Sequence, residues 1–490
     1  MFHRRKKEPS SRSTLPLSTS DTPMPPSSHT STTFFRTQIP SFKSFLFVLS
    51  LLLNLYLLLI LRAPSSSTLP PTTIISRLSP TTRRHVIFAI ASSSLSWPRR
   101  LPYIRLWYSP NTTRAFAFLD KPALNSNSSS SPPVVISGDT SGFPYTFRGG
   151  LRSAIRVARV VKEVVDRNDS GVRWFVFGDD DTVFFVDNVV RTLSKYDHER
   201  WFYVGSNSES YEQNVKYSFE MAFGGGGFAI SYSLARVLSR VLDSCLKRYG
   251  HLYGSDARIY SCVAELGVGL THEPGFHQLD IRGNLFGMLA SHPLSPLLSL
   301  HHLDAVEPLF PNMDRIQALE HLTTAAKVDP ARILQQTVCY DPSNSLTFSV
   351  SWGFAIQVYQ GNELLSDLLS VQKTFGPWKR GSKVNANYMF NTRDYSRDLC
   401  KRPSMFFLKS ITSDKRGIWS NYSRHIVGKC FESNATQFKQ IIVFSRKLEL
   451  NIEQMKAPRR QCCTVLPSSN DTISLHIRQC EINELISMQL

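Results

Sequence analysis

The stretch WFVFGDDDT, residues 174–182, carries the two features on which the fold prediction rests. It begins with four large apolar residues, as is typical of a strand buried on both faces of a sheet. One glycine then leads into three consecutive carboxylates, Asp179, Asp180 and Asp181. Open sheets of mainly parallel strands bind ligands at the carboxyl ends of their strands. We therefore predict a central strand that ends in a ligand crevice.

Strands and helices alternate on both sides of this stretch. Short apolar runs typical of buried strands occupy residues 85–91, 114–120 and 133–139, and apolar residues with helical spacing occupy residues 97–108 and 151–165. The alternation predicts an α/β fold in which helices cover both faces of a mainly parallel sheet. Residues 321–490 contain only mixed short elements, and we interpret them as a strand-rich C-terminal domain of unknown role.

An uncharged apolar segment, FLFVLSLLLNLYLLLIL, occupies residues 45–61. Its length is at the short end for a membrane-spanning helix, and the basic residues at positions 4–7 indicate a cytoplasmic N-terminus. A cleaved signal peptide is the alternative, but the residues after the segment form a poor cleavage site. We predict a disordered cytoplasmic tail at 1–44, a transmembrane signal-anchor helix at 45–61 and a Ser/Thr/Pro-rich stem at 62–84.

Glycosylation signals and cysteines agree with a lumenal position for the rest of the chain. Six Asn-x-Ser/Thr triplets all follow the apolar segment, at Asn111, Asn127, Asn168, Asn421, Asn434 and Asn470. The eight cysteines include no Cys-x-x-Cys pair, which disfavours a zinc ribbon, and their even number is consistent with disulfides. The sequence alone does not give the pairing.

The formal net charge of +18 requires that a nucleic-acid partner be considered. Residues 85–320, however, balance 23 basic against 23 acidic side chains, whereas residues 321–490 carry 22 basic and 13 acidic ones. No single basic stripe dominates, and zinc-finger, helix–turn–helix and RNA-binding patterns are absent. We expect no nucleic-acid partner.

The three consecutive carboxylates indicate a metal site. Adjacent carboxylates at a strand end repel one another unless a cation neutralises them. A divalent ion such as Mn²⁺ or Mg²⁺, itself holding a diphosphate, would remove that cost. The alternative is a helix N-terminus, where the dipole stabilises acidic groups, but this accounts for one aspartate rather than three.

Two further segments contain candidate functional residues. The run FGGGGFAIS, residues 223–231, either lets backbone approach a substrate closely or forms a flexible turn before a helix that starts near Ser233. In GSDARIYSCV, residues 254–263, Asp256 is either a catalytic carboxylate or the cap of a helix. The histidines at 272, 277, 301 and 302 are candidate ligands that spacing does not rank.

In their order along the chain, six segments between residues 85 and 303 resemble the Fringe-type β-1,3-glycosyltransferases. They are most similar to the plant Fringe-related proteins of unassigned activity. The segments are HVIFAIASSSLSWPRRLPYIRLWY, RAFAFLD, RWFVFGDDDTVFF, FGGGGFAIS, GSDARIYSCV and GFHQLD. The ordered set is more specific than any of its members. Residues 321–490 match nothing in Fringe.

The resemblance implies a GT-A-like fold for residues 85–320, a UDP-sugar donor, Mn²⁺ and inversion at the anomeric carbon. Carried over by position, Asp181 ligates the metal, His277 completes the metal site and Asp256 is the general base. Residues assigned to the donor site are Asp179, near the ribose, with Asp180, Gly225 and Gly226. Fringe has an acidic pair where this chain has Ser255-Asp256.

We therefore expect an inverting, metal-dependent glycosyltransferase of the Golgi membrane. It would be a single-pass type II protein with a lumenal catalytic part. It would move a sugar from a UDP-sugar to a hydroxyl of a glycan or glycoprotein, with a β-1,3 linkage as the resemblance suggests. The alternatives are a catalytically inactive, lectin-like binder on the same fold and a scaffold protein that acts through residues 321–490.

Overall fold

The computed structural model describes residues 42–62, 79–123, 129–379, 386–428, 437–469 and 471–488. The chain divides into two compact units, Met1–Arg77 and Leu78–Leu490. The predicted tail at 1–44 and the predicted stem at 62–84 lie largely outside the described residues.

The first unit contains helix α1, Phe42–Arg62, at the position of the predicted transmembrane segment. A membrane-spanning helix needs about 20 predominantly apolar residues. Within the part of the chain that the structure describes, no helix is long and apolar enough to cross a membrane. The helix at 45–61 is therefore confirmed, but its transmembrane assignment is not supported.

Helices and strands of the second unit follow the predicted alternation up to about residue 300. The described α-helices of the whole second unit are α2 (Trp97–Arg105), α3 (Ser153–Asp166), α4 (Val186–Leu193), α5 (Tyr211–Lys216), α6 (Tyr232–Arg248), α7 (Ser255–Glu265), α8 (Phe286–Ala290), α9 (Arg315–Val328), α10 (Leu365–Leu369) and α11 (Ile452–Lys456). The first strands are β1 (Val86–Ala91), β2 (Arg114–Leu119), β3 (Val134–Ile136), β4 (Trp174–Asp179), β5 (Val183–Phe184), β6 (Tyr203–Gly205), β7 (Phe228–Ser231), β8 (Leu270–His272), β9 (Phe276–His277), β10 (Ile281–Gly283) and β11 (Ser299–Leu300). The later strands are β12 (Gln336–Asp341), β13 (Leu346–Ser351), β14 (Ala355–Gln360), β15 (Val371–Gln372), β16 (Phe375–Pro377), β17 (Thr392–Arg393), β18 (Ser404–Ser413), β19 (Ile418–His425), β20 (Gln440–Ser445), β21 (Cys462–Ser469) and β22 (Thr472–Arg478).

The central sheet has the strand order β3-β2-β1-β4-β7-β6-β8. The first four of these strands pair in parallel. Strand β7 runs antiparallel to both of its neighbours, and β6 pairs with β8 in parallel. The predicted mainly parallel sheet is confirmed. Because β4, β6 and β8 run in the same direction, their carboxyl ends lie at the same edge of the sheet.

Successive residues of β1 pack into two hydrophobic cores, one on each face of the sheet. Val86 and Phe88 join the core that includes side chains of α2 and α4, whereas Ile87 and Ala89 join the core that includes α3, α6 and α7. Complete burial of a side chain such as Val or Phe contributes about 1.5–3 kcal/mol. The prediction of helices on both faces is confirmed, and this packing holds the end of β4 in place.

A small sheet has the strand order β5-β11-β9. Its strand β5 begins shortly after β4 ends at the carboxyl edge of the central sheet. Its middle strand, β11, pairs antiparallel with β5 and parallel with β9. Each of these strands is two residues long, so no periodic pattern reveals it in the sequence. This sheet joins the residues after β4 to the segment that ends at His301.

The C-terminal region forms a second large sheet, of the order β12-β13-β14-β18-β19-β20-β22-β21. Neighbouring strands are antiparallel except for β20 and β22. Alternate residues point into one core, as Phe348 and Val350 do from β13 and Leu475 and Ile477 from β22. The strand-rich prediction for residues 321–490 is confirmed.

The C-terminal sheet shares its core with the first face of the central sheet. The predicted boundary at residue 320 falls inside α9, whose Leu319 and Leu322 are buried in that core. Strand β16 of the C-terminal region also pairs with β10. The disulfide Cys339–Cys463 connects the two edge strands, β12 and β21, so the large sheet curls on itself.

Candidate active site

The acidic turn after β4 is fixed at both ends. Asp179 is the last residue of β4, and its backbone amide donates to Thr182 Oγ1 at 2.9 Å. The amide of Thr182 donates back to the carbonyl oxygen of Asp179 at 3.1 Å. The Thr182 hydroxyl in turn donates to the carbonyl oxygen of Gly225 at 2.7 Å. These bonds attach the carboxylates to the glycine-rich run.

His301 is brought to this turn by β11. Leu300 lies opposite Val183 in the small sheet, so the next residue, His301, is placed beside the turn that precedes β5. Its Nε2 atom is 3.1 Å from Asp181 Oδ1 and 3.8 Å from Asp179 Oδ2. One ligand atom from each of these three side chains lies within 4.8 Å of the others. Two carboxylates and an imidazole form a donor set that suits a divalent cation such as Mn²⁺.

The structure does not place His277 in this group. It belongs to β9, which is separated from β5 by β11. Its Nδ1 atom is 3.1 Å from Glu209 Oε1, and its Nε2 atom is 2.9 Å from Nε2 of His292. The structure therefore places His301, and not His277, beside Asp179 and Asp181. The sequence gives both histidines as candidate ligands. Only the pairing of β5, β11 and β9 shows which of the two lies beside the acidic turn.

Trp378 of the C-terminal region holds the neighbour of His301. The Trp378 and His302 rings stack with centroids 4.2 Å apart and planes at 12°, and the His302 ring lies 3.9 Å from that of His301. His302 Nδ1 is 3.1 Å from Asp280 Oδ1. Arg282 lies over the Trp378 ring at 4.4 Å from its centroid. The C-terminal region thus packs against the histidine pair.

Asp180 faces the protein interior. Its Oδ2 atom accepts hydrogen bonds from the hydroxyls of Ser92 and Ser96, both at 2.6 Å. These bonds tie the acidic turn to the segment that joins β1 to α2. The Asp180 side chain, assigned from sequence to the donor site, is buried and anchors that turn.

Arg100 of α2 supplies a positive charge inside the acidic cluster. Its guanidinium lies 3.2 Å from Asp181 Oδ2 and 3.7 Å from Asp180 Oδ1, and it also contacts Asp304. Sequence reasoning assigned neutralisation of the three carboxylates to a metal alone. The structure shows that Arg100 takes part of that role, which no local pattern around residue 100 indicates.

The two candidate carboxylate ligands differ in their protonation. Burial raises the pKa of Asp179 to about 7, with Asp181, Asp256 and Asp180 adding to the rise and His301 opposing it. About 43% of the Asp179 side chain is nonetheless reached by solvent, so this carboxylate is accessible to a ligand.

Asp181 stays ionised. Burial acts to raise its pKa, but the hydrogen bond with His301 and the positive charges of His301 and Arg100 hold the pKa well below the ordinary value. Burial acts to lower the pKa of His301, and its contacts with the Asp181 carboxylate raise that pKa to about 9. The pair is therefore a carboxylate and an imidazolium in the absence of a metal.

The absence of side chains in the glycine run allows Asp256 to pack closely against Gly224 and His301 to pack closely against Gly225. A Cβ atom on Gly224 would lie 2.6 Å from Asp256 Oδ1, and one on Gly225 would lie 2.1 Å from the His301 ring. Both distances are far below van der Waals contact. The amide of Gly226 donates to Gln278 Oε1 at 2.6 Å. These glycines permit close packing between protein groups of the site.

Asp256 does not cap its helix, because Gly254 occupies the N-cap position of α7. The Asp256 carboxylate accepts a hydrogen bond from the Ser255 hydroxyl at 2.9 Å. Burial raises the pKa of Asp256, while Ser255, the Gly224 amide and the charge of His301 oppose the rise. A carboxylate with a raised pKa beside a metal-ligand group can accept a proton from a bound hydroxyl.

Two protein families match parts of this chain. Residues 81–292 match the family described as "Fringe-like", so this part of the chain is a Fringe-like domain, as the resemblance predicts. A second family, described as "Protein of unknown function, DUF604", matches residues 213–463, which is just over half of the chain. The chain therefore belongs to the DUF604 family.

Similarity to characterised proteins is local. The β-1,3-glucosyltransferases of Mus musculus and Homo sapiens are each 28% identical over 137 residues, which are 28% of this chain and 26% of the relative. The chain thus spans about a quarter of the length of these relatives. A solved mannosyltransferase from Pyrobaculum calidifontis, PcManGT in complex with GDP-Man and Mn²⁺, is 14% identical and matches 39% of this chain and 55% of its own, with a TM-score of 0.25. A TM-score this low does not establish a shared fold.

Proposed function

We propose that the Fringe-like domain is a glycosyltransferase that moves a sugar from a nucleotide sugar to an acceptor hydroxyl. The observation that carries this proposal is the convergence of Asp179, Asp181 and His301 beside Asp256, at the carboxyl edge of the sheet. Binding at this edge is the rule for open α/β sheets. The Fringe-like match and the local similarity to β-1,3-glucosyltransferases support the same reaction class.

Asp179, Asp181 and His301 would hold Mn²⁺ or a similar divalent ion. Such an ion, when bound, neutralises charge on a departing diphosphate. The ionised Asp181 carboxylate is able to bind a cation, and its contact keeps His301 beside it. His301 would have to release its proton for its nitrogen to bind the metal. Asp180 keeps the turn that carries them in place through Ser92 and Ser96.

Asp256 would act as the general base. It would take the proton from the acceptor hydroxyl as that oxygen attacks the anomeric carbon, and direct displacement inverts the configuration there. Removal of a general base typically costs 10²–10⁴-fold in rate. A UDP-sugar donor and a β-1,3-linked product are the finer parts of the proposal. They rest on the Fringe resemblance and on the names of the relatives.

The direct experiment is a panel of UDP-sugars incubated with the full-length protein with and without Mn²⁺. We expect hydrolysis or transfer from at least one donor, only with the metal. A complete lack of turnover and of UDP binding across the panel would contradict the proposal.

The position of Arg100 favours one other function, a lectin-like binder without catalysis. Its guanidinium, 3.2 Å from Asp181 Oδ2, already neutralises part of the cluster and competes with a metal. Such a binder would retain a glycan without Mn²⁺ and would not consume any UDP-sugar. Metal-independent glycan binding together with absent turnover would favour this function.

We also propose that the Fringe-like domain faces the Golgi lumen. The disulfides Cys245–Cys262, Cys339–Cys463 and Cys462–Cys480 support an oxidising compartment. The sequon residues Asn111 and Asn168 are exposed and accessible to glycosylation. Enzymatic removal of N-glycans should increase the gel mobility of the expressed protein. An unchanged mobility, with cytosolic protease access to the C-terminal region in intact vesicles, would contradict this placement.

A further inference from the structure

A large groove of about 1780 Å³ lies along the C-terminal sheet. Its walls are residues 413–418, residues 444–461 and the end of β22, and one end reaches residues 272–274 after β8. The groove does not include Asp179, Asp181, His301 or Asp256. It is thus a second concave surface outside the candidate active site.

The positive charge of the C-terminal region is concentrated in this groove. Residues 321–490 contribute nine basic and two acidic side chains to its lining, which is +7 of the +9 that this region carries in total. The Fringe-like domain adds Lys195 and Glu273, which form an ion pair with each other. Four of the nine basic side chains, Arg332, Arg416, Lys456 and Arg478, form ion pairs with carboxylates. The others leave the groove with a net positive charge.

Several of these cations form no ion pair within the part of the chain that the structure describes. Among the described residues, Arg446, Lys447 and Lys415 are exposed and make no ion pair. The Arg460 guanidinium donates to the carbonyl oxygen of Gln336 at 3.2 Å, no carboxylate lies within ion-pair distance of it in the described part of the chain, and burial lowers its pKa to about 10. A partly buried cation without a partner is costly, so it indicates an anionic ligand.

Aromatic rings line the groove beside these charges. The Phe444 and His476 rings lie with centroids 5.1 Å apart, and Tyr196 is at the end nearest β8. Rings next to cations suit a ligand with both apolar faces and negative groups, as an acidic sugar has. A concave groove does not match the plane of a lipid bilayer.

The groove is lined in part by the residues at the end of β8. His272 ends β8, and Asp179 ends β4, at the same edge of the central sheet. The order β4-β7-β6-β8 separates them by three strand spacings, or about 14 Å. An oligosaccharide of a few residues could extend from one to the other along this edge.

We propose that this basic groove binds an acidic oligosaccharide, as the part of the acceptor that lies away from the transferred sugar. The inference rests on the proposed glycosyltransferase function and names the acceptor class, a glycan with carboxylate or sulfate groups. The recognition is electrostatic and therefore weakens as ionic strength rises.

The test uses the full-length protein and an oligogalacturonate of about ten residues, with maltodextrin of similar length as the neutral probe. The variant Arg446→Glu/Lys447→Glu reverses two unpaired groove charges. The control, Lys401→Glu/Lys409→Glu, makes the same charge change at exposed lysines outside the groove. We expect oligogalacturonate binding to fall at least tenfold in the groove variant and less than threefold in the control, with no maltodextrin binding.

Asp181→Asn separates this inference from the proposed function, because it should abolish transfer and leave oligogalacturonate binding unchanged. The inference is overturned if wild-type protein does not bind oligogalacturonate, or if both charge variants lose binding equally. It is also overturned if duplex DNA or phosphatidylserine vesicles bind through Arg446 and Lys447 more tightly than the oligosaccharide does.

Discussion

The Fringe-like domain and the C-terminal region use charge in opposite ways. In the first, basic and acidic residues are equal in number over 85–320, and the carboxylates of the site are each in contact with a partner. In the second, basic residues are in excess, and Arg446 and Lys447 have no ion pair among the described residues. The paired charges of the first region suit chemistry that needs fixed geometry, and the unpaired charges of the second suit attraction of a ligand.

One aromatic ring of the C-terminal region reaches the histidines of the candidate metal site. Trp378 comes from the C-terminal region, yet it packs on His302 and so supports His301. We therefore expect the C-terminal region to affect metal binding in the Fringe-like domain through Trp378. We expect it to affect glycan binding through the groove.

The largest effect is expected at Asp256. Asp256→Asn keeps the size of the side chain but removes the proton acceptor, so transfer should fall 10²–10⁴-fold. UDP affinity in the presence of Mn²⁺ should change less than threefold, because the carboxylate would act on the acceptor. Transfer rate and UDP affinity are measured on one preparation.

Asp187→Asn is the matched control, since Asp187 lies in the first turn of another helix, α4, and pairs with exposed Arg83. It should leave transfer near the wild-type rate. Near-normal turnover of Asp256→Asn would reject its role as base, and a loss of UDP affinity would place Asp256 in the donor site instead.

The next effect concerns Trp378. Trp378→Ala removes the ring that stacks on His302, and loss of such a supporting contact typically weakens metal binding 10–100-fold. Trp378→Phe should restore most of the Mn²⁺ affinity, because it keeps an aromatic face. The exposed Trp201→Ala provides the control. Calorimetric titration with Mn²⁺ measures all three, and an unchanged affinity in Trp378→Ala would show that Trp378 does not support the metal site.

The smallest of these effects is one of stability. Gly225→Ala would place a Cβ atom 2.1 Å from the His301 ring, so backbone and ring must shift. Overpacking of this kind costs about 1–3 kcal/mol. Gly269→Ala, where a Cβ would meet nothing within 4 Å, should be nearly neutral. Denaturant unfolding compares them, and equal midpoints would show that the glycine run is not closely packed.

Local patterns in the sequence predicted much of the Fringe-like domain and little of its long-range pairing. The continuous apolar run of β1 and the helical spacing of α3 each predict one element, and the acidic run at the end of β4 predicted the position of the site. His301 could not be ranked above His277, because their difference lies in the order of the two-residue strands β5, β11 and β9. The same limit applies to Arg100, whose partners are about 80 and 200 residues away in the chain.

The central claim is that Asp181 is a metal ligand, and comparison with its neighbour Asp180 tests it most directly. Asp181 contacts His301, whereas Asp180 accepts hydrogen bonds from Ser92 and Ser96. UDP binding is titrated with and without Mn²⁺ for wild-type protein, Asp181→Asn and Asp180→Asn. We predict that Mn²⁺-dependent binding is lost in Asp181→Asn and retained in Asp180→Asn. Wild-type binding in Asp181→Asn, or an equal loss in both variants, would contradict the assignment of Asp181 to the metal site.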